Sequence, residues 1–331
     1  MQPEGKVSRI VIGVDEAGYG PNIGPLIVAA TAWRVPYGIT EKQLVASMAD
    51  SFRPVPWSMG ADHIPLGDSK KLYTPATGLR SLEAGLIAML GQIHPVPQRF
   101  EEFLQSLGVG SEVGGVGRSS GFAEWHLPQD LKVPSHVEQE ELAHLTEQAA
   151  RELNKRGFEL LDARARVVTE FEFNRAVAAY GSKGRLLSEV TMDLTKELVS
   201  SFDGFPVEVF CDRQGGRKKY SSVLMQAMPD EWFDVLGEQD ARSSYRRRRD
   251  PECLVHFSVG GDSFPATALA SMIAKYLRER FMEILNRYWQ QHLPNLQPTA
   301  GYPTDAKRFR EAIASCADAL GHSAEQWWRV C

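Results

Sequence analysis

The sequence predicts an α/β fold, in which strands and helices alternate along the chain around one sheet. The first observation is that short apolar runs, bounded by glycine, proline or polar residues, are followed by segments with apolar residues at helical spacing. The second is that three of the apolar runs end in a carboxylate close to glycine. An alternation of this kind is typical of α/β domains, whose ligand sites form at strand ends.

Five apolar runs are predicted to be strands. The first ends in Asp15-Glu16 and enters a glycine-rich loop, where glycine permits the tight or positive-φ backbone that such a loop needs. The second is short enough for a buried strand and follows the first through a glycine-containing turn. The predicted strands are Ser8–Asp15, Pro25–Val35, Ala163–Phe173, Pro206–Asp212 and Cys253–Val259.

Helices are predicted where apolar residues recur every three or four positions. Thr40 is expected to cap the first, and Asp68 or Ser69 to cap the turn before the second. Ser135 and Glu138 have the spacing of a capping box. The predicted helices are Thr40–Phe52, Ala76–Leu90, one starting at Pro134–Glu138, Ser182–Ser201, and one of about six turns whose apolar face extends from Ala266 to Tyr288.

Length and composition narrow the class of protein. The 331 residues suffice for one large domain or two ordinary ones, and the net charge of −5 excludes a general polyanion-binding basic protein. The four scattered cysteines argue against a zinc site or a disulfide framework and fit a reducing compartment. The longest apolar run, around Leu26 to Trp33, is too short to span a membrane. We therefore expect a cytoplasmic protein.

Two stretches do not fit the alternation of strands and helices. The stretch 91–157 contains Gly108–Gly121, which has the glycine and serine content of a flexible loop, and we interpret it as an insertion that packs or meets a partner. The stretch 232–249 contains the basic run Arg246–Arg249, which we expect to be solvated. The basic triplet Arg217–Lys219 is either a phosphate contact or an exposed turn.

Four carboxylates at the strand ends are candidates for one cluster: Asp15, Glu16, Asp212 and Asp262. Carboxylates in close proximity repel one another, and protonation or metal ions stabilise them. Since no histidine or cysteine offers an alternative ligand nearby, the cluster favours Mg²⁺ or Mn²⁺ over zinc. Two such ions about 3.5–4 Å apart promote phosphodiester cleavage. Strand-end acids are also common as caps and turn residues, and spacing alone leaves both interpretations open.

Five short segments occur in one order along most of the chain. They are Val14–Pro21 with Gly24-Pro25, Asp68–Leu72, Asp212 at its strand end, Gly261-Asp262 followed by Ala270–Glu279, and Gly301–Thr304. Each is weak alone, but the ordered set is specific. It resembles the motifs of the type 2 ribonuclease H (ribonuclease HII) family, of which the chain looks like a divergent member with insertions.

The resemblance implies a ribonuclease H-like fold, with a five-stranded mixed sheet flanked by helices and a mostly helical insertion. It implies a single domain over residues 1–331, an insertion at about 91–157 and a C-terminal helical region at about 265–331. The implied activity is metal-dependent endonucleolytic hydrolysis of the RNA strand of RNA–DNA hybrids. The implied partner is therefore nucleic acid.

The resemblance also assigns roles by position. A two-metal site for Mg²⁺ or Mn²⁺ would be formed by the catalytic acids Asp15, Glu16, Asp212 and Asp262. Backbone amides of the glycine loop would contact the ribose 2′-hydroxyl, and a tyrosine would pack on the sugar. The substrate-binding candidates are Gly18, Tyr19, Gly20, Lys70, Lys71 and Tyr302.

Departures from the family pattern leave alternatives open. Tyr19 stands where the family has arginine, so the charge and the donor fork of a guanidinium are missing from the loop. Lys70 and Lys71 either hold phosphates or begin a solvated helix. The alternative functions are a nuclease of the same fold that acts on branched or single-stranded DNA, and a nucleic-acid-binding protein that has lost catalysis. We expect a monomer, with the insertion available to a partner.

Overall fold

The computed structural model describes residues 8–110, 122–127 and 130–330. Within them the strands form a seven-stranded sheet, in the order β5-β2-β1-β6-β9-β8-β7, and a separate pair, β3-β4. The strands are β1 (Ser8–Ala17), β2 (Leu26–Pro36), β3 (Phe52–Arg53), β4 (Ile64–Pro65), β5 (Glu159–Val168), β6 (Val207–Asp212), β7 (Phe233–Glu238), β8 (Arg242–Arg247) and β9 (Cys253–Ser258).

Helices cover both faces of the large sheet. None of those in the described residues is long and apolar enough to cross a bilayer. The helices are α1 (Glu41–Met48), α2 (Ser69–Leu72), α3 (Arg80–Leu90), α4 (Phe100–Ser106), α5 (Gln139–Arg156), α6 (Glu170–Tyr180), α7 (Lys183–Ser201), α8 (Ser221–Ala227), α9 (Pro265–His292), α10 (Pro303–Ala319) and α11 (Ala324–Trp327), with single 3₁₀ turns at Glu124–His126 and Gly261–Ser263.

The large sheet is mixed. β2 is antiparallel to β1 and to β5, whereas β1, β6 and β9 run parallel to one another. The predicted fold class, a mixed sheet flanked by helices, is confirmed. The sheet is larger than the five strands implied, because the unassigned stretch 232–249 forms the hairpin β7-β8, which pairs with β9. The parallel arrangement brings the carboxyl ends of β1, β6 and β9 to one edge.

Alternate residues of β1 enter two apolar cores on opposite faces of the sheet. Val11 faces the core that contains α9, and Ile10 and Ile12 face the core that contains α7. At Gly13 the helix lies directly on the strand, since a Cβ there would be 2.1 Å from the carbonyl carbon of Ala266. This close contact fixes α9 over the strand that ends in Asp15 and Glu16.

Several predicted helix starts are confirmed by their caps. The side chain of Thr40 accepts a hydrogen bond from Gln43 N, and that of Asp68 accepts one from Lys70 N. The capping box at Ser135 is wrong: Glu138 caps α5, and Ser135 instead donates to Glu83. The backbone donors of this segment are used by a buried carboxylate, which the local sequence does not reveal.

Three predicted boundaries shift in the structure. The helix predicted at Thr40–Phe52 ends at Met48, and Phe52 begins β3. The strand predicted at Ala163–Phe173 is β5, which ends at Val168 because Thr169 caps α6. The helix predicted from Ala76 begins at Arg80.

The stretch 91–157 joins the core on the α9 face of the sheet. Phe100 and Phe103 of α4 and Leu142 of α5 are buried in the same cluster as Trp33 and Phe281. Of the predicted glycine- and serine-rich loop 108–121, residues 111–121 lie outside the described residues. The single-domain assignment, with an insertion and a C-terminal helical region, stays a prediction.

Candidate active site

The four predicted acids lie at one edge of the sheet. Asp15 and Glu16 are near the end of β1, Asp212 is the last residue of β6, and Asp262 is in the 3₁₀ turn after β9. Val14 pairs with Cys211 and Asp212 pairs with Ser258, so the three parallel strands end almost level.

Asp15 is held from the α9 side. It is 9% exposed, and its Oδ1 accepts a hydrogen bond of 2.7 Å from the backbone N–H of Glu16. Ser271 of α9 donates to the same carboxyl group, and its Oγ lies 3.1 Å from Oγ of Ser69. A chain of hydroxyls therefore connects the Asp68–Leu72 segment to the acid at the end of β1.

Asp212 and Asp262 are joined through the backbone between them. Oδ1 of Asp212 accepts a hydrogen bond of 2.9 Å from the N–H of Gly261. A Cβ at Gly261 would be 3.2 Å from Cα of Asp212, so a side chain at this position would force the turn away from β6. Glycine thus allows the third and fourth acids to approach each other.

Electrostatics also link the acids. Burial raises the pKa of Asp15 to about 7, with the charges of Asp212 and Asp262 acting in the same direction and the Ser271 hydrogen bond opposing them. Burial, Asp15 and Asp212 raise the pKa of Glu16 well above its usual value. Burial, followed by the charges of Asp68 and Asp212, raises the pKa of Asp262. The carboxylates therefore behave as one group of mutually repelling charges.

The donor set fits a hard divalent cation by its chemistry. All four side chains offer carboxylate oxygen, the ligand type of Mg²⁺ and Mn²⁺, and a cation would offset their repulsion. Within the described ranges, no group of three or more histidine, cysteine, aspartate or glutamate side chains is arranged so that it could hold a metal ion. The fit is therefore one of residue type and charge.

Lys70 and Lys71 lie beside the acids. The charge of Lys70 lowers the pKa of Glu16, and both lysines oppose the rise in the pKa of Asp262. Lys71 and Asp262 also line a cleft of about 290 Å³ whose other walls are mostly apolar. These positions suit contacts to a phosphate backbone next to the acids.

The loop between β1 and β2 requires glycine at specific points. Gly18 has φ +86°, and a Cβ there would be 2.5 Å from the carbonyl oxygen of Pro25. Gly24 has φ +92° and is closely packed against Met282. Gly20 is exposed, with no atom within 4 Å of its Cβ position. The inner side of the loop is therefore closely packed at Gly18 and Gly24, whereas Gly20 is exposed to solvent.

Tyr19 lies between the acids and several cations. Burial and the charge of Glu16 raise the pKa of its hydroxyl, and the charges of Arg217 and Arg329 oppose that rise. Nζ of Lys183 is 5.1 Å from the centroid of the tyrosine ring. Basic side chains from other parts of the fold therefore surround the position where the family has arginine.

Tyr302 is held next to the glycine loop. The carbonyl oxygen of Gly301 accepts hydrogen bonds from Asn22 N at 2.8 Å and Ile23 N at 3.3 Å. Arg278 donates to Ala300 O at 2.7 Å, and its guanidinium carbon is 5.3 Å from the Tyr302 ring centroid. The tyrosine is 52% exposed, so its ring is available to a ligand.

The other basic stretches differ in how their charges are used. Each arginine of 246–249 forms an ion pair with a nearby acid. In 217–219, Lys218 pairs with Asp240, whereas Arg217 lies near Tyr19. Arg217 therefore lies toward the edge of the sheet that holds the four acids. The arginines of 246–249 are paired with other acids instead.

Sequence reasoning missed four residues that organise the site. Ser271 and Arg278 lie within the segment Ala270–Glu279, but the sequence predicts no role for them in the site, and it predicts Ser69 only as a helix cap. Arg329 is not predicted at all, because a single arginine without a local sequence pattern does not indicate a binding or positioning role. These four residues act through contacts between distant parts of the chain.

No protein-family model and no curated protein matches the chain. The solved structures to which it is similar include the ribonuclease HII of Archaeoglobus fulgidus in a complex with PCNA, with 17% identity, coverage of 97% of this chain and 94% of that one, and a TM-score of 0.41. Ribonuclease H2 from Pyrococcus horikoshii OT3 has 17% identity, coverage of 96% and 92%, and a TM-score of 0.42.

Bst-RNase HIII in complex with Mn²⁺ has 14% identity, coverage of 98% of this chain and 66% of that one, and a TM-score of 0.40. These solved structures are ribonucleases HII, H2 and HIII. The five ordered segments of this chain resemble motifs of the ribonuclease HII family. Likeness at this level carries no conclusion of its own about the activity of this chain.

Proposed function

We propose that the chain is a divalent-metal-dependent endonuclease of the ribonuclease H type, which hydrolyses the RNA strand of RNA–DNA hybrids. The observation that carries the proposal is that Asp15, Glu16, Asp212 and Asp262 lie at one edge of the sheet, where burial and neighbouring carboxylates raise the pKa values of Asp15, Glu16 and Asp262. Burying like charges is unfavourable unless a cation joins them, so a cation site explains why these acids lie together.

In the proposed reaction each part of the chain has a separate task. The four acids hold Mg²⁺ or Mn²⁺, which when bound supplies activation of water and stabilisation of the leaving oxygen. Ser271 orients Asp15 from α9. Lys70 and Lys71 bind the phosphates that flank the cleaved bond.

Recognition of RNA falls to the glycine loop and Tyr302. The amides near Gly18 and Gly20 contact the ribose 2′-hydroxyl, the group that distinguishes RNA from DNA. Tyr302, exposed beside this loop, packs on the sugar. Tyr19 takes the position of the family's arginine, with Lys183 and Arg217 supplying positive charge around it.

The test is cleavage of a labelled hybrid by purified protein with Mg²⁺ or Mn²⁺. We expect Asp15→Asn and Asp212→Asn to lower kcat at least about a hundredfold, because each removes charge from the cation site. Asp230→Asn, a change at an exposed acid, is the matched control and should cleave as wild type does. Circular dichroism spectra confirm that all variants are folded.

The substrate panel separates the proposal from its alternatives. It holds the hybrid, a duplex with one embedded ribonucleotide, a sequence-matched DNA duplex, a branched DNA and single-stranded DNA. Cleavage of all-DNA substrates in preference to the hybrid would favour a nuclease with another target. Binding without cleavage, unaffected by Asp262→Asn, would indicate a protein that has lost catalysis. Either result would contradict the proposal.

The sequence also predicts a monomeric, cytoplasmic protein whose stretch 91–157 is available to a partner. Light scattering of the purified chain, with and without hybrid, tests the oligomeric part of this prediction. A stable dimer would contradict it.

A further inference from the structure

The glycine loop is held from inside by a single arginine near the C-terminal end of the described residues. Arg329 is 0% exposed. Its Nη1 donates to Gly18 O at 2.6 Å and to Gly24 O at 3.2 Å, and its Nη2 donates to Tyr19 O at 3.1 Å. The guanidinium carbon is 3.9 Å from the centroid of the Phe173 ring. One side chain thus holds three carbonyls of the loop.

The backbone of the same segment is attached to the loop and to α6. Arg329 N donates to Asn22 O at 2.7 Å, and Nδ2 of Asn22 donates to Arg329 O at 3.3 Å. Val330 N donates to Oδ1 of Asn174 at 2.8 Å, whose Nδ2 donates to Trp328 O at 2.8 Å. The segment 327–330, which we call the C-terminal strap, is therefore hydrogen-bonded both to the loop and to α6.

The positions of the carbonyls determine the directions of the next amides. A trans peptide is planar, so its N–H points away from its C=O. Because the carbonyls of Gly18 and Tyr19 point inward to Arg329, the N–H groups of Tyr19 and Gly20 point away from it. Two consecutive backbone donors are thus turned away from the buried arginine, in a loop that is exposed at Gly20.

Arginine suits this task better than lysine does. Its planar fork donates in several fixed directions at once, whereas an ammonium is a compact point charge. A buried charge also needs hydrogen-bond partners, which the three carbonyls provide, and the Phe173 ring adds a cation–π contact. Without the fork, the loop loses the common donor that sets its inner carbonyls.

We propose that Arg329 is a positioning residue for ribose recognition: it orients the Tyr19 and Gly20 amides, so the C-terminal strap determines how well the site distinguishes RNA from DNA. This inference rests on the proposed function. It extends that function by assigning substrate selectivity to a residue 311 positions away from Gly18.

The test compares the affinities for a hybrid and a sequence-matched DNA duplex, measured in EDTA by fluorescence anisotropy, with kcat and KM for the hybrid. The variants are Arg329→Gln, Arg329→Lys and Asn174→Ala, which loosens the strap from its outer side. We expect Arg329→Gln to reduce the hybrid-to-DNA affinity ratio about threefold to tenfold, the effect of a lost hydrogen bond to ribose. Arg329→Lys should recover little of the ratio, and Asn174→Ala should lower it less.

Val330→Ala is the matched control, because its side chain is half exposed and its backbone N–H is kept. A merely structural role for Arg329 would lower thermal stability and leave the affinity ratio of the folded protein unchanged. An unchanged ratio in folded Arg329→Gln would overturn the inference. If the Arg329 variants do not fold, an unchanged ratio in Asn174→Ala overturns it instead.

The failure of the proposed function is distinguishable from the failure of this inference. Wild-type protein that neither cleaves the hybrid nor prefers it over DNA would overturn the proposed function, and the inference with it. Wild-type protein that cleaves the hybrid, with variants that keep the wild-type affinity ratio, would overturn the inference alone.

Discussion

Replacing Glu83 by glutamine should destabilise the protein by about 2–4 kcal/mol at neutral pH. Glu83 lies in α3 and is fully buried. Its carboxylate accepts hydrogen bonds from the backbone N–H groups of Ser135 and His136, both at Oε2, and from the Tyr276 hydroxyl at Oε1. The residue thus joins α3, α9 and the segment before α5.

The magnitude follows from the number of donors that lose a charged acceptor. A glutamine can turn its oxygen toward the two backbone N–H groups and its NH₂ toward the Tyr276 hydroxyl, which is able to accept. The three hydrogen bonds are then kept as neutral ones. Hydrogen bonds to a charged group contribute about 1.5–3 kcal/mol each and neutral ones about 0.5–1.5 kcal/mol, so each of the three loses about 1 kcal/mol.

The effect should depend on pH. Burial pushes the pKa of Glu83 upward, but hydrogen bonds from His136, Tyr276 and Ser135 outweigh burial and leave the pKa below its usual value. The carboxylate therefore stabilises the folded state above the unfolded pKa of about 4.3, and this contribution is lost as pH falls through the lower folded pKa. The difference between wild type and Glu83→Gln should be full at pH 7 and shrink below about pH 4.

Urea unfolding at pH 7 and at pH 3.5 measures this difference. Glu147→Gln is the control on α5, since Glu147 is exposed and makes one loose ion pair of 3.8 Å with Arg151. Its expected cost is below about 0.5 kcal/mol. The reasoning fails if Glu83→Gln costs less than about 1 kcal/mol at pH 7, or if its cost is the same at both pH values.

Two further pairs of substitutions test the packing and the site. Gly13→Ala should lower the free energy of unfolding in urea by about 3 kcal/mol or more, because the new methyl would be 2.1 Å from the backbone of Ala266. Gly20→Ala is its control and should lower the free energy of unfolding by less than about 1 kcal/mol, because no atom lies within 4 Å of the new methyl. Equal costs would contradict the contact between α9 and β1. Tyr302→Ala should raise KM for the hybrid about tenfold, and Tyr302→Phe, which keeps the ring, should stay within about twofold. Matching values for the two Tyr302 variants would show that its ring does not bind substrate.

The sequence predicts this fold best where the signals are local. Short local patterns predict both the first strand, which carries Asp15, and the helix cap at Thr40. The structure contains both features.

The end of β5 is predicted too late because Phe171 and Phe173, which belong to α6, continue the apolar run past the cap at Thr169. Arg164 and Arg166 interrupt the apolar pattern within the strand itself. Arg166 is 2% exposed and pairs with Glu197 of α7, so a charged residue occupies a core position by virtue of a partner 31 positions away.

The hairpin β7-β8 shows a second limit. Its outer strand β7 is the edge of the sheet and has a single neighbour, and the fully buried residues of the hairpin are Ser243 and Tyr245 of β8. Its arginines pair with acids across the hairpin and its surroundings, which leaves no alternation to detect. The candidate site follows the same rule: the acids lie at predictable strand ends, but the partners that orient them come from other parts of the chain.

The contact of Arg329 with Gly18 also affects how the protein is made. The loop is translated among the first residues, but its inner carbonyls gain their donor only when position 329 has been synthesised. Contacts between such distant positions form late and slow down folding. A nascent chain therefore carries its four acids well before the inner carbonyls of the loop gain this donor. If Arg329 has the role proposed above, a chain that stops before position 329 would keep the four acids and lose much of its ability to distinguish RNA from DNA.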